Sequence, residues 1–252
     1  MKVAAAQLPV TTCYDGSALE HLRHCVRECE SAGVTLLCCP EGALGGLADY
    51  SDTPETIAHT TDDASLAQHL KPLASDAVTV IIGFTERDQV GRYYNAAAVY
   101  SQGRVRGIYR KRHPAIRRSR YSAGVDAPVF PIHGGTVGIL ICRDSLDTTL
   151  AAMLVQQGAT VLCIPTNNAM PPDRGGPSLV DQVSALDKRN AASFGIPVVR
   201  ADVIGAYRGL TSAGASMVTM PDGKQLRARD TPTGELIVTD LRCDIDDAGP
   251  CK

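Results

Sequence analysis

Apolar residues along this chain fall into two kinds of run, and the two kinds alternate. Residues 34–40, 78–83, 137–142, 160–165 and 196–201 are short and nearly continuously apolar. That is the pattern of strands buried on both faces of a sheet. Residues 2–8, rich in Val and Ala, read as a first strand. Between such runs the apolar positions recur at helical spacing, as in Leu19, Leu22, Val26 and Cys29. Ser17 and Glu20 form a capping-box pair ahead of that helix, and Gly33 ends it. Residues 66–77, 145–157 and 177–194 read as further helices. The opening strand, helix and strand predict a right-handed parallel crossover. Residues 96–100 and 105–109 predict a hairpin turned by Ser101-Gln102-Gly103. Residues 212–220, 225–229 and 235–241 predict closing strands, with a turn at Pro221-Asp222-Gly223. Nothing resembles a linker or a short repeat, so the pattern predicts one α/β domain over residues 1–252.

Composition narrows the functional classes. The 252 residues are 44% hydrophobic, enough for a sizeable core, and the formal net charge is only -2. That balance gives no reason to expect nucleic acid or an anionic membrane as partner. An arginine-rich stretch, residues 104–120, reads as a solvated basic patch; some of its arginines could attract a carboxylate-bearing substrate. The nine cysteines are odd in number, and Cys38, Cys39 and Cys163 lie inside strand-like runs, where cysteine acts as a small buried hydrophobe. Met1 to Val10 lacks the pattern of a secretory leader, and no apolar run approaches the about 20 residues of a membrane helix. These features predict a reduced, cytoplasmic protein without disulfides. His21, His24, Cys25 and Cys29 share a helix, but Cys25 and Cys29 fit its buried stripe, so no metal is expected. Redox pairing of Cys38 with Cys39 is disfavoured, because adjacent strand residues point to opposite faces.

Candidate chemistry sits where three strands end. Cys142 closes an apolar run and is followed by Arg143-Asp144-Ser145; Glu41 follows Cys38-Cys39-Pro40; Lys111 follows residues 104–110. In open α/β sheets, ligands bind at the carboxyl edge of the strands. A thiol, a carboxylate and an ammonium are the parts of an activated cysteine nucleophile. A helix starting near Ser145 would add backbone N–H groups that favour a thiolate and an oxyanion. His113 is the nearest candidate for a cysteine–histidine dyad. There is no Gly-x-Gly-x-x-Gly after a strand, no phosphate-binding loop and no Gly-x-Ser-x-Gly.

Pro40-Glu41, Tyr109-Arg110-Lys111-Arg112-His113 and Ile141-Cys142-Arg143-Asp144, in that order, resemble the motifs of the nitrilase superfamily of carbon–nitrogen hydrolases. Tyr94-Asn95-Ala96, Pro165-Thr166-Asn167 and the segment from Ile196 to Ala201 extend the likeness from Val3 to about Leu241. The resemblance implies a four-layer α-β-β-α sandwich that pairs into dimers or higher homo-oligomers. It implies hydrolysis of a non-peptide C–N bond of a small molecule, with water and without metal or cofactor. Carried over by position, Cys142 is the nucleophile, Glu41 the general base and Lys111 the charge-stabilising cation. Arg143 through its N–H, Thr166 and Asn167 form the oxyanion and substrate-binding side. Arg143 after the cysteine, where nitrilases carry tryptophan and glutamate, favours an amide substrate. A nitrile or an N-carbamoyl compound on the same trio stays an alternative, as does a catalytically silent binding or scaffold protein. The chain departs from the pattern at the second glutamate between lysine and cysteine, where Asp126 is the only acid, and at Leu146-Asp147 and Pro114.

Overall fold

The computed structural model describes residues 1–60, 63–173, 176–229, 231 and 233–241. Cys243 and Cys251 lie outside the described residues. The chain runs β1 (Lys2–Pro9), α1 (Thr12–Asp15), α2 (Ala18–Ala32), β2 (Leu36–Cys38), α3 (Pro54–Ile57), β3 (Ala58–Thr60) and α4 (Asp63–Leu70). It continues through β4 (Thr79–Arg87), β5 (Tyr93–Ser101), β6 (Arg104–Arg110), β7 (Val129–Ile132), β8 (Gly135–Ile139), α5 (Thr148–Gln156) and β9 (Val161–Pro165). It closes with α6 (Pro177–Phe194), β10 (Val198–Ala201), β11 (Val203–Tyr207), β12 (Leu210–Ala213), β13 (Met217–Thr219), β14 (Gln225–Arg227) and β15 (Glu235–Asp240).

Among the described residues the strands form two sheets. One has the order β12-β11-β1-β2-β4-β5-β6, with β15 against β1 and β3 against β4. The other has the order β14-β13-β10-β9-β8-β7. Side-chain alternation explains how they stack. In β1, Val3 and Ala5 face the second sheet, while Ala4 and Ala6 face α2. Ile81 and Val99 join the inner core; Val80, Ile82 and Tyr100 join the outer one with Leu22, Val26, Leu66 and Leu70 of α2 and α4. Leu150, Leu154 and Ala191 of α5 and α6 pack against the second sheet. The result is the four-layer α-β-β-α sandwich. β1 and β2 pair in parallel across α2, as the opening crossover requires. Cys38 lies in the inner core and Cys39 in the outer one, on opposite faces. Cys25 and Cys29 pack inward on α2 while His21 and His24 are exposed, so these four do not converge. No helix among the described residues is long and apolar enough to cross a membrane.

Several local expectations are corrected. Ser17 makes no side-chain cap; Asp15 instead accepts from both the Ser17 N–H and hydroxyl. The helix expected over 66–77 runs Asp63–Leu70 and then tightens to a 3₁₀ turn, Lys71–Leu73, at Pro72. The strand expected over 212–220 is two strands in different sheets. Gly214, at φ 72, breaks it in a left-handed conformation that favours glycine. The strand expected over 196–201 is present as β10 and ends at Ala201, and after Asp202 the chain crosses into β11 of the other sheet. The two crossings are tied together, for Asp202 accepts from the Ala215 N–H at 3.1 Å and donates its own N–H to Ser216 Oγ at 2.8 Å.

Candidate active site

β2, β4 and β6 run the same way in the first sheet, and β8, β9 and β10 run the same way in the second. The residues that follow their carboxyl ends therefore gather along facing edges. Glu41 follows β2, Lys111 follows β6, Cys142 follows β8, Thr166 to Asn168 follow β9 and Asp202 follows β10. Glu41, Lys111, Cys142 and Asn167 line one cavity of about 100 Å³. Leu47, Pro114, Ile116, Ala169 and Met170 supply much of its apolar wall.

Glu41 and Lys111 are 2% exposed each. Lys111 Nζ donates to Glu41 Oε1 at 2.5 Å, and Asn95 Nδ2 donates to the same oxygen at 2.7 Å. The Asn167 N–H donates to Glu41 Oε2 at 3.0 Å, so the carboxylate is held from both sheets. Burial alone would push the Lys111 ammonium down, but Glu41 and then Cys142 outweigh it and hold its pKa above the ordinary lysine value. Gly83 of β4 makes the placement possible. A Cβ there would lie 2.4 Å from the Pro40 carbonyl oxygen and 2.8 Å from Glu41 Cα. Gly83→Ala is therefore expected to displace the Glu41 backbone, lower kcat at least about tenfold and destabilise the fold by about 1–3 kcal/mol. Steady-state kinetics together with a thermal melt check it; an unchanged kcat would count against this role for Gly83.

Cys142 stands in a 3₁₀ turn, Cys142–Leu146, with φ 48. The α-helix expected from Ser145 begins at Thr148 instead, because Asp147 caps it by accepting from the Thr149 and Leu150 N–H groups. Cys142 is thus backed by a tight turn, not by an α-helix N-terminus. Burial pushes the Cys142 thiol up to about 12; the Glu41 carboxylate adds to this, and Lys111 and Arg200 oppose it. These surroundings favour the protonated thiol over the thiolate. The turn is braced by polar side chains that periodicity could not reveal. Arg200 is 1% exposed and donates to both carboxylate oxygens of Asp187, to Thr166 Oγ1 at 2.8 Å and to Ser145 Oγ at 3.2 Å. Ser145 in turn donates to the Cys142 carbonyl. Asp144 accepts from the Tyr109 hydroxyl at 2.7 Å and from the His113 N–H at 2.8 Å, which joins the Lys111 loop to the Cys142 turn.

The remaining expected residues fall as follows. Thr166 is fully buried behind the cavity, bonded to Arg200, and does not line it. Arg143 is exposed, and its guanidinium donates to the Ala115 carbonyl. The His113 ring pairs with Asp147 Oδ2 at 3.0 Å, away from a dyad with Cys142. Asp126 borders a different cleft, beside Glu86 and Arg110, so it does not replace the second glutamate. No arginine of residues 104–120 lines the cavity; Arg110 is committed to Glu86 and stacks on Tyr94 at 4.2 Å. Lys111 is the one cationic side chain among the described lining residues.

Two lining atoms lack partners. Asn95 Oδ1 and Asn167 Nδ2 are buried and unbonded. Their orientations are set by their other ends, since Asn95 Nδ2 faces a carboxylate and Asn167 Oδ1 accepts the Ala169 N–H at 3.2 Å. The wall of the cavity that holds Cys142 thus carries one acceptor and one donor without a partner.

A family-wide sequence profile for carbon-nitrogen hydrolases matches residues 2–249. A probable nitrilase of Schizosaccharomyces pombe is 26% identical over 257 residues, covering 99% of this chain and 91% of its own. An (R)-stereoselective amidase of a Pseudomonas species is 32% identical over 194 residues, covering 76% of this chain and 67% of its own. An amidase from Nesterenkonia, 20% identical, superposes with a TM-score of 0.74 over 96% of this chain and 90% of that one. A Cys→Ala variant of that amidase has been seen with butyramide, and a Glu→Gln variant with the acetamide moiety of fluoroacetamide on its active-site cysteine.

Proposed function

The chain belongs to the carbon-nitrogen hydrolase family, and from that premise we propose that it is an amidase for small, neutral carboxamides, working through a thioester on Cys142. The observation that carries this reading is the pair of unpartnered atoms on Asn95 and Asn167, two residues that line the cavity with Cys142. A primary carboxamide supplies what they lack, an N–H for Asn95 Oδ1 and a carbonyl oxygen for Asn167 Nδ2. A nitrile has no N–H to give and would leave a buried acceptor unpaired, which costs roughly 1–3 kcal/mol. The cavity of about 100 Å³ suits a substrate of few heavy atoms. With its one lining ammonium engaged by Glu41, it offers nothing to a substrate carboxylate.

In this mechanism the Cys142 sulfur attacks the amide carbon while its proton passes to the Glu41 carboxylate. The carbonyl electron pair moves to oxygen, which Lys111 and the Arg143 N–H stabilise; such donors supply about 3 kcal/mol or more. Collapse breaks the C–N bond, and the departing nitrogen takes its proton from Glu41. Water then attacks the thioester, giving a proton to Glu41, and the returning sulfur recovers it. Acid and free thiol result.

The test is ammonia release from acetamide, propionamide and butyramide, set against butyronitrile, glutamine and an N-carbamoyl amino acid. The amides are expected to exceed the nitrile in kcat/KM by about 10²-fold or more, because a site built for a hydrogen bond rejects analogues lacking it. Equal turnover of nitrile and amide would overturn the reading.

A further inference from the structure

Asn168 and Asp202 stand behind the nucleophile and enter none of the steps above. Asp202 is fully buried, and its carboxylate is met by four neutral N–H donors. Oδ1 accepts from the Asn168 N–H at 3.0 Å and the Val203 N–H at 2.8 Å. Oδ2 accepts from Asn168 Nδ2 at 2.9 Å and the Ala215 N–H at 3.1 Å. A carboxylate can only accept here, so the Asn168 carboxamide must turn its nitrogen to Asp202. Its oxygen is thereby turned to Cys142 Sγ, 3.9 Å away, where it accepts from the thiol. A site built to hold a thiolate would present a donor at that position. This one presents an acceptor, and two crossings between the sheets hold the device in place.

We propose that Asp202 is a positioning residue for Cys142, fixing the Asn168 carboxamide so that the resting sulfur keeps its proton and one orientation until a substrate engages Glu41. The proposal deepens the assignment of Cys142 as nucleophile, and its main readout needs no substrate. It gives the resting thiol a guard against stray alkylation and oxidation, which attack the thiolate. The charged groups around the sulfur are Glu41, Lys111, Arg200 and Asp202 itself. Those acting on Asp202 include Arg200, which favours its ionised form against the burial that opposes it, while Cys13 feels its charge from the other side.

The test is the rate of iodoacetamide alkylation of Cys142, followed by peptide mass from about pH 6 to about pH 10. Asp202→Asn places an amide nitrogen against Asn168 Nδ2 and is expected to rotate the Asn168 carboxamide, turning an N–H to the sulfur. Alkylation near neutral pH should rise about tenfold and its midpoint should move down. Amide kcat should fall about tenfold with KM little changed, since the sulfur loses its orientation. Asn168→Ala removes the acceptor with Asp202 in place, and alkylation should rise about threefold or more. Added to Asn168→Ala, the Asp202→Asn change should have a much smaller effect than it has alone. An equal gain in both backgrounds would reduce Asp202 to a nearby charge and overturn the proposal, as would no gain in either. Should Asp202→Asn fail to fold, Asn168→Ala alone decides, and an unchanged alkylation profile sinks the idea.

Discussion

Cys142→Ala is expected to bring amide turnover below about one thousandth of the starting rate while the sandwich stays folded. The expectation follows from how little else the side chain does. Its sulfur makes one long hydrogen bond, to Asn168, and sits partly exposed at the end of the inner core. Alanine takes the same left-handed backbone at similar cost, so the stability change should be about 1 kcal/mol. Without sulfur no thioester can form, and Glu41 and Lys111 are left facing a substrate with no nucleophile between them. Ammonia release and a thermal melt on the same preparation read both halves of the claim. Near-normal hydrolysis by the alanine variant would end the thioester mechanism. In the unmodified protein, intact mass after brief exposure to an amide should show an acyl group on the Cys142 peptide.

Glu41→Gln should cost about 10³-fold or more in kcat, because the proton of a resting thiol then has no base to receive it. Two further effects separate this change from simple disruption. The carboxylate is one of the influences that raise the Cys142 thiol to about 12, second to burial, whereas Lys111 pulls it down. Removing the carboxylate therefore lowers the thiol pKa, and alkylation of Cys142 should begin at lower pH even as hydrolysis disappears. Lys111 is meanwhile left in a buried site without its counter-ion. That should destabilise the fold by about 3 kcal/mol, or about 10 °C in melting temperature for a chain of this size. A glutamine variant that still hydrolyses amides would remove Glu41 from the proton transfers. One whose alkylation midpoint rises would contradict the electrostatics of the cavity.

The residues that sequence patterning singled out share one property: each is a reactive group at or just past the end of a strand-like segment. Strand ends at a common sheet edge can be inferred from alternation of elements, so the meeting of Glu41, Lys111 and Cys142 in one cavity was legible in outline. The brace behind them was not. Arg200 and Asp187 are charged residues within a strand and a helix, and only the fold shows that they neutralise each other in the interior. Asn168 and Asp202 lie 34 positions apart and carry no local pattern. Asn95 fell within a recognisable stretch, but its free oxygen is visible only once its nitrogen is seen engaged by Glu41. Boundaries failed where a single residue outweighed periodicity. Asp147 moved the start of α5, and Gly214 split what reads as one strand between two sheets.

The φ of 48 at Cys142 sets the protein's chemistry against its own comfort. A side chain with a Cβ is strained by about 1 kcal/mol there, and glycine avoids that strain. Mutational drift freed from any demand for turnover should therefore carry this codon toward glycine or asparagine, and the resulting chain should melt later than its ancestor. A descendant that has abandoned hydrolysis would be recognisable by that one exchange.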